Sequence, residues 1–151
     1  MSKRSTMIRA ALGLCIWTML GALDAAAQIT TAAGEDAAVR AAVEHYLQAH
    51  ATGDGSHIRA VFHPRLNMMW VNGDTLALRT AEEFASGFRG QPQPDEAQRK
   101  RCIAAVDVSG TAAVAKVVLD YPNRTFVDYF ALLKIDGEWK IVTKVFASEA
   151  K

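Results

Sequence analysis

Thr125-Phe-Val-Asp-Tyr-Phe-Ala-Leu-Leu-Lys-Ile-Asp-Gly-Glu-Trp-Lys-Ile-Val-Thr-Lys-Val-Phe-Ala147 is the stretch that decides the fold. Asp136-Gly137 is a two-residue hairpin signal, because a type I′ turn needs positive φ at both central positions and these two residues tolerate it. Thr125 to Ile135 and Glu138 to Ala147 then read as antiparallel strands. In strict alternation one face carries Trp139, Leu132, Ile141, Phe130, Thr143, Asp128 and Val145. The other carries Val127, Ala131, Leu133, Val142 and Phe146, with Tyr129 opposite Lys144. Both faces are largely apolar, so both need a cover. Helices of the same chain can cover one. A second copy is the economical cover for the other, which makes Val127, Tyr129, Ala131, Leu133, Val142, Lys144 and Phe146 the expected homodimer face.

Upstream, Cys102 to Val108 and Thr111 to Tyr121 flank Ser109-Gly110 as a further hairpin, so the second half of the chain is an antiparallel meander. The first half is helical. Glu35 and Asp36 suit the first turn of a helix, in which Val39, Val43, Tyr46, Leu47 and His50 recur as one inward stripe. Gly53-Asp54-Gly55 ends it. Ser56 is the expected N-cap of a second helix with Ile58, Val61 and Phe62, stopped by Pro64. Leu66 to Val71, the Asn72-Gly73 turn signal and Thr75 to Leu78 read as a small hairpin. Thr80-Ala-Glu-Glu is a capping box ahead of a third helix with Phe84 and Phe88 inward. Helices segregated from a meander argue an α+β fold.

The chain has 151 residues, 17 Lys+Arg against 16 Asp+Glu, and 50% hydrophobic residues. That balance excludes long disorder and leaves no electrostatic footprint for nucleic acid. Lys3, Arg4 and Arg9, the apolar run Ala10 to Leu20 and the small residues Ala25-Ala26-Ala27 have the form of a signal peptide over residues 1–27. The run is too short to span a bilayer. The chain is therefore expected to be exported, periplasmic or secreted, with no membrane association once the signal is removed. Residues 28–35 are expected to be a mobile leader, and 36–148 the folded domain. Cys102 is then the sole cysteine and reads as a buried small hydrophobe.

Three segments carry a family likeness: Ala60-Val-Phe-His-Pro-Arg65 with the hairpin and Thr80-Ala-Glu-Glu-Phe84, then Ile103 to Val117, then Thr125 to Phe146. With these the chain resembles the NTF2-like superfamily, and within it the "putative lumazine-binding" branch. The resemblance implies a cone in which N-terminal helices pack into a strongly curved antiparallel sheet and leave a pocket at the open end. It also implies dimers through the outer sheet face. It does not decide chemistry, since the superfamily holds isomerases, dehydratases, cyclases and plain binding proteins.

Asp128 is the most informative candidate, because a carboxylate on an apolar face is desolvated and suited to acid–base work. Otherwise it is a structural acceptor for Thr143 or backbone donors. His63, at the expected end of the second helix, and Tyr46, on the inward stripe, complete the catalytic candidates. Met68, Trp70, Phe84, Phe88, Phe130 and Thr143 are the expected pocket lining, which suits a flat, mostly apolar ligand. His45, His50, His57 and His63 never fall at the i, i+4 spacing of a helical metal site, so neither metal nor cofactor is expected. The expected function is an exported domain that binds a small organic molecule. The alternatives are a cofactor-independent isomerase, dehydratase or cyclase using the pocket Asp with His or Tyr, and an accessory module that docks a partner protein.

Overall fold

The computed structural model describes residues 33–151. The expected signal peptide and the first part of the leader lie outside the described residues. By internal contacts the chain divides between Glu35 and Asp36, and the unit Asp36–Lys151 carries the site. Helix α1 spans residues 33–52, so the last residues of the expected leader are already helical. Then come α2 (Ser56–Val61), β1 (Phe62–Asn72), β2 (Thr75–Thr80), α3 (Ala81–Ala85), a 3₁₀ turn (Glu96–Gln98), β3 (Lys100–Ser109), β4 (Ala112–Tyr121), β5 (Arg124–Ile135) and β6 (Glu138–Ala150).

The six strands form one sheet in the order β2-β1-β6-β5-β4-β3. All neighbours are antiparallel except β1 and β6, which run parallel. This is the expected α+β cone, with one parallel pairing that the meander alone does not announce. Val39, Val43, Tyr46, Leu47 and Ala49 of α1 are buried, as are alternate residues of β4 from Ala113 to Tyr121. Among the described residues no helix is long and apolar enough to cross a membrane.

Local chemistry explains most boundaries. Thr80 caps α3 by accepting from the Glu83 amide, while Glu83 Oε2 accepts from the Thr80 amide at 2.8 Å. Asp136 and Gly137 both take positive φ, 52° and 84°, as a type I′ turn requires. Two expected boundaries move. Ser56 is inside α2, whose N-cap is Gly55, and the Ser56 amide donates to Asp54 Oδ1 at 2.8 Å. Helix α2 stops at Val61, because Phe62 and the residues around Pro64 have turned into the extended backbone of β1.

The larger departure is in the final hairpin. Strict pairing holds from Ile135↔Glu138 to Leu132↔Ile141, and then Ala131 pairs with Thr143. Val142 is the extra residue of a β-bulge, and every later residue of β6 changes face. Lys144 pairs with Phe130 and is buried, and Phe146 pairs with Asp128. Both therefore leave the expected dimer face for the inner face. Thr143 and Val145 move to the outer side, and Tyr129 faces Val145 rather than Lys144. Cys102 is exposed, against its expected burial, because it falls on the outward parity of edge strand β3.

Candidate functional site

Helix α1 and the inner face of the sheet bring together Tyr46, Asp128 and Lys144. Asp128 is fully buried and Lys144 only 3% exposed. The Tyr46 hydroxyl donates to Asp128 Oδ2 at 2.6 Å, and Lys144 Nζ donates to Oδ1 at 2.8 Å. Both carboxylate oxygens are thus satisfied by donors, as burial of a charge demands. The ammonium sits in an aromatic box, with the rings of Phe146 at 4.4 Å, Tyr46 at 5.3 Å, Phe84 at 5.7 Å and Phe130 at 5.9 Å. Burial pulls the Lys144 ammonium below the usual lysine range, although Asp128 opposes the change. Burial, followed by the Asp128 charge, pushes the Tyr46 phenol well above its ordinary value.

A second polar chain lies one helical turn along α1. Glu96 holds Arg101 in a bidentate pair at 2.6 and 2.7 Å. Arg101 Nε donates to the Tyr121 hydroxyl at 3.3 Å, and that hydroxyl lies 3.1 Å from His50 Nδ1. The other ring nitrogen, His50 Nε2, is buried and finds no hydrogen-bond partner among the described residues. Burial, then the positive charges of Lys144, Arg101 and Arg99, lowers the His50 pKa to about 3, so the imidazole is neutral at physiological pH. His50 packs edge-on to Tyr46 at 4.7 Å and to Phe88 at 5.3 Å, which couples the two polar chains through one aromatic cluster.

Beside His50 lies a cavity of about 470 Å³, walled by Phe84 and Phe88 and by Arg79, Arg89 and Arg99. None of its lining residues carries a carboxylate. The segment after α3 closes one side, held by the Gly90 amide, which donates to the Gly53 carbonyl at 2.7 Å. Gly53 has φ +73°, and a Cβ there would collide with the Gln91 carbonyl. Among the described residues no group of three or more His, Cys, Asp or Glu is placed to hold a metal.

A family model described as "Putative lumazine-binding" matches residues 34–147. The chain belongs to this family. The aldolase FrzH of Cladobotryum sp is 29% identical to it over 114 residues, which are 74% of this chain and 89% of that protein. An NTF2-like protein of unknown function from Shewanella baltica OS155 superposes with a TM-score of 0.71 at 25% identity, over 79% of this chain and 97% of its own. An NTF2-like protein of unknown function from Methylobacillus flagellatus KT gives 0.67 at 29% identity, over 78% and 94%.

Of the residues that the sequence singled out, Tyr46 and Asp128 meet directly. His63 does not join them. It lies in β1, where its Nδ1 accepts from the Arg65 amide at 3.2 Å. His50 is the histidine of the interior, and its place on the Tyr46 stripe of α1 was the signal for it. Thr143 is not the partner of Asp128, since the bulge puts Lys144 there instead. Of the expected pocket lining, Phe84 and Phe88 face the cavity. Met68 and Phe130 are core residues, and Trp70 stacks on Phe146 at 5.4 Å. The arginines of the cavity carry no periodic signal, because Arg79, Arg89 and Arg99 come from a strand end and an irregular segment.

Proposed function

We propose that the chain is an exported domain that binds a small organic molecule in the cavity beside His50. The observation that carries this reading is the about 470 Å³ cavity walled by aromatic rings and guanidinium groups, next to a buried imidazole nitrogen that lacks a partner. A buried polar atom left unsatisfied costs about 1–3 kcal/mol, and a ligand that reached it on binding would offset that cost. Family membership agrees with ligand binding. The basic start, the apolar run and Ala25-Ala26-Ala27 support export. Val114, Tyr129, Leu133 and Val145 leave an apolar outer face 41–55% exposed, which supports a homodimer. The test is native mass spectrometry of the exported protein, followed by a small-molecule screen read on the His50 side-chain resonances. A bound mass lost on denaturation, or a ligand that shifts those resonances, is the expected result. The absence of both, no bound mass and no ligand that shifts those resonances, overturns the reading.

A second reading is a cofactor-independent enzyme acting on a carbon acid. The fully buried Tyr46–Asp128–Lys144 cluster favours it, together with the aldolase named among the relatives. Asp128 would take the proton α to a carbonyl, while Tyr46 or Lys144 donates to the developing enolate oxygen. Phe84, which borders both the cavity and Lys144, would have to swing aside for a substrate to arrive. Solvent-deuterium exchange into a ligand found by the screen tests it. Exchange that survives Asp128→Asn would remove this reading.

A further inference from the structure

We propose that the cavity takes a ligand with an oxyanion, a carboxylate or a phosphate monoester, joined to a flat apolar body. This rests on the cavity being a ligand site at all, as argued above, and goes further by naming the chemistry it selects.

The donor inventory of the polar chain favours one direction for its hydrogen bonds. A guanidinium can only donate, so Arg101 Nε occupies a lone pair of the Tyr121 oxygen. The Tyr121 proton is then free to point at His50 Nδ1, 3.1 Å away. A neutral imidazole that accepts at Nδ1 carries its own proton on Nε2. In that tautomer the unpartnered Nε2 of His50 is a donor that lacks an acceptor. Glu96 holds the whole chain in place by its two bonds to Arg101.

The cavity wall repeats the same sign. Arg79 and Arg89 have no carboxylate within ion-pair distance among the described residues, while Arg99 is paired with Asp95 at 2.7 Å. Arg79 and Arg89, neither in a close ion pair, and Arg99, paired with Asp95, line a space that has no acidic lining residue and that His50 also borders. A cation is repelled there, and a neutral apolar molecule leaves the donors unanswered. An oxyanion satisfies them with charge-assisted bonds. Phe84 and Phe88, whose rings meet at 5.3 Å, supply the apolar wall for the ligand's body.

The experiment uses three probes of one shape: 2-naphthoate, 2-naphthyl phosphate and 2-naphthalenemethanol. Binding to the whole chain is read by calorimetry and by side-chain resonances of His50. At least one of the two anions is expected to bind about tenfold or more tightly than the alcohol, a difference of about 1.4 kcal/mol. Which of the two anions binds more tightly separates carboxylate from phosphate. In Arg79→Gln with Arg89→Gln, the preference for the anion is expected to collapse to about onefold while alcohol binding persists, which also shows that the variant is folded. Long-range ¹⁵N correlation is expected to place the His50 proton on Nε2. Alcohol binding equal to that of both anions overturns the oxyanion inference but leaves the cavity reading standing. No binding of any probe counts against both, and a proton found on Nδ1 removes the donor argument.

Discussion

Replacing Asp128 by Asn exchanges one acceptor oxygen for an amide in a place where two donors converge. The Tyr46 hydroxyl and Lys144 Nζ approach the two carboxylate oxygens at 2.6 and 2.8 Å, so one of them must lose its partner. The Lys144 ammonium, 3% exposed, also loses its counter-charge. Removing one member of a buried ion pair costs roughly 3–5 kcal/mol. Lys144 sets a ceiling on that cost, because giving up the proton of an ordinary lysine at pH 7 takes about 5 kcal/mol. We therefore expect Asp128→Asn to lower stability by about 3–5 kcal/mol, or about 10–20 °C in Tm for a domain of this size. The pH dependence identifies the route. If Lys144 is neutral in the folded variant, the unfolded chain binds one proton more, so the variant's stability rises with pH up to about 10.4. The rise is about 1.4 kcal/mol per unit. Thermal and urea melts of both proteins at pH 7, 8 and 9 measure this. A variant Tm at or above the wild type would refute the structural reasoning, and would mean that Asp128 is kept in the core at a cost to stability for the sake of chemistry.

Four further outcomes follow from the same geometry. The folded pKa of His50, about 3 against an ordinary 6.5, means that the unfolded chain binds the extra proton between those values. Stability should therefore fall as pH drops through that window, by up to about 1.4 kcal/mol per unit, and His50→Gln should flatten that slope in urea titrations. Gly53→Ala should destabilise by more than the ~1 kcal/mol of a typical point substitution, because positive φ and the Gln91 carbonyl both oppose a Cβ; an unchanged denaturation midpoint would contradict this. Tyr129→Glu should convert the expected dimer to monomer in light scattering, since Tyr129 lies 48% exposed beside Val114, Leu133 and Val145; a wild-type monomer at high micromolar concentration ends that idea. Amino-terminal sequencing of exported protein should begin at Gln28, and a start at Met1 would refute cleavage there.

Much of the fold was legible because it depends on neighbours in sequence. The Asp136-Gly137 turn, the capping box at Thr80 and the inward stripe of α1 each rest on residues within one turn or one pleat of each other. Alternation gave Asp128, Phe130 and Leu132 their buried side for the same reason. Tyr46 was already on the inward face of its helix. What the sequence left open begins at Val142. The bulge there answers to the curvature of the whole sheet, in which β6 pairs with β5 on one side and with parallel β1 on the other. A strict two-residue period has no term for such a residue, and one inserted position reverses every side chain beyond it. That reversal, and nothing in the local pattern, turned Lys144 from the outer face to Asp128. The pairing of Tyr46 with Asp128 spans 82 positions of sequence, and that of His50 with Tyr121 spans 71. Contacts at such separations are set by how α1 lies against the sheet, so the composition of the buried site, unlike its elements, came only with tertiary packing.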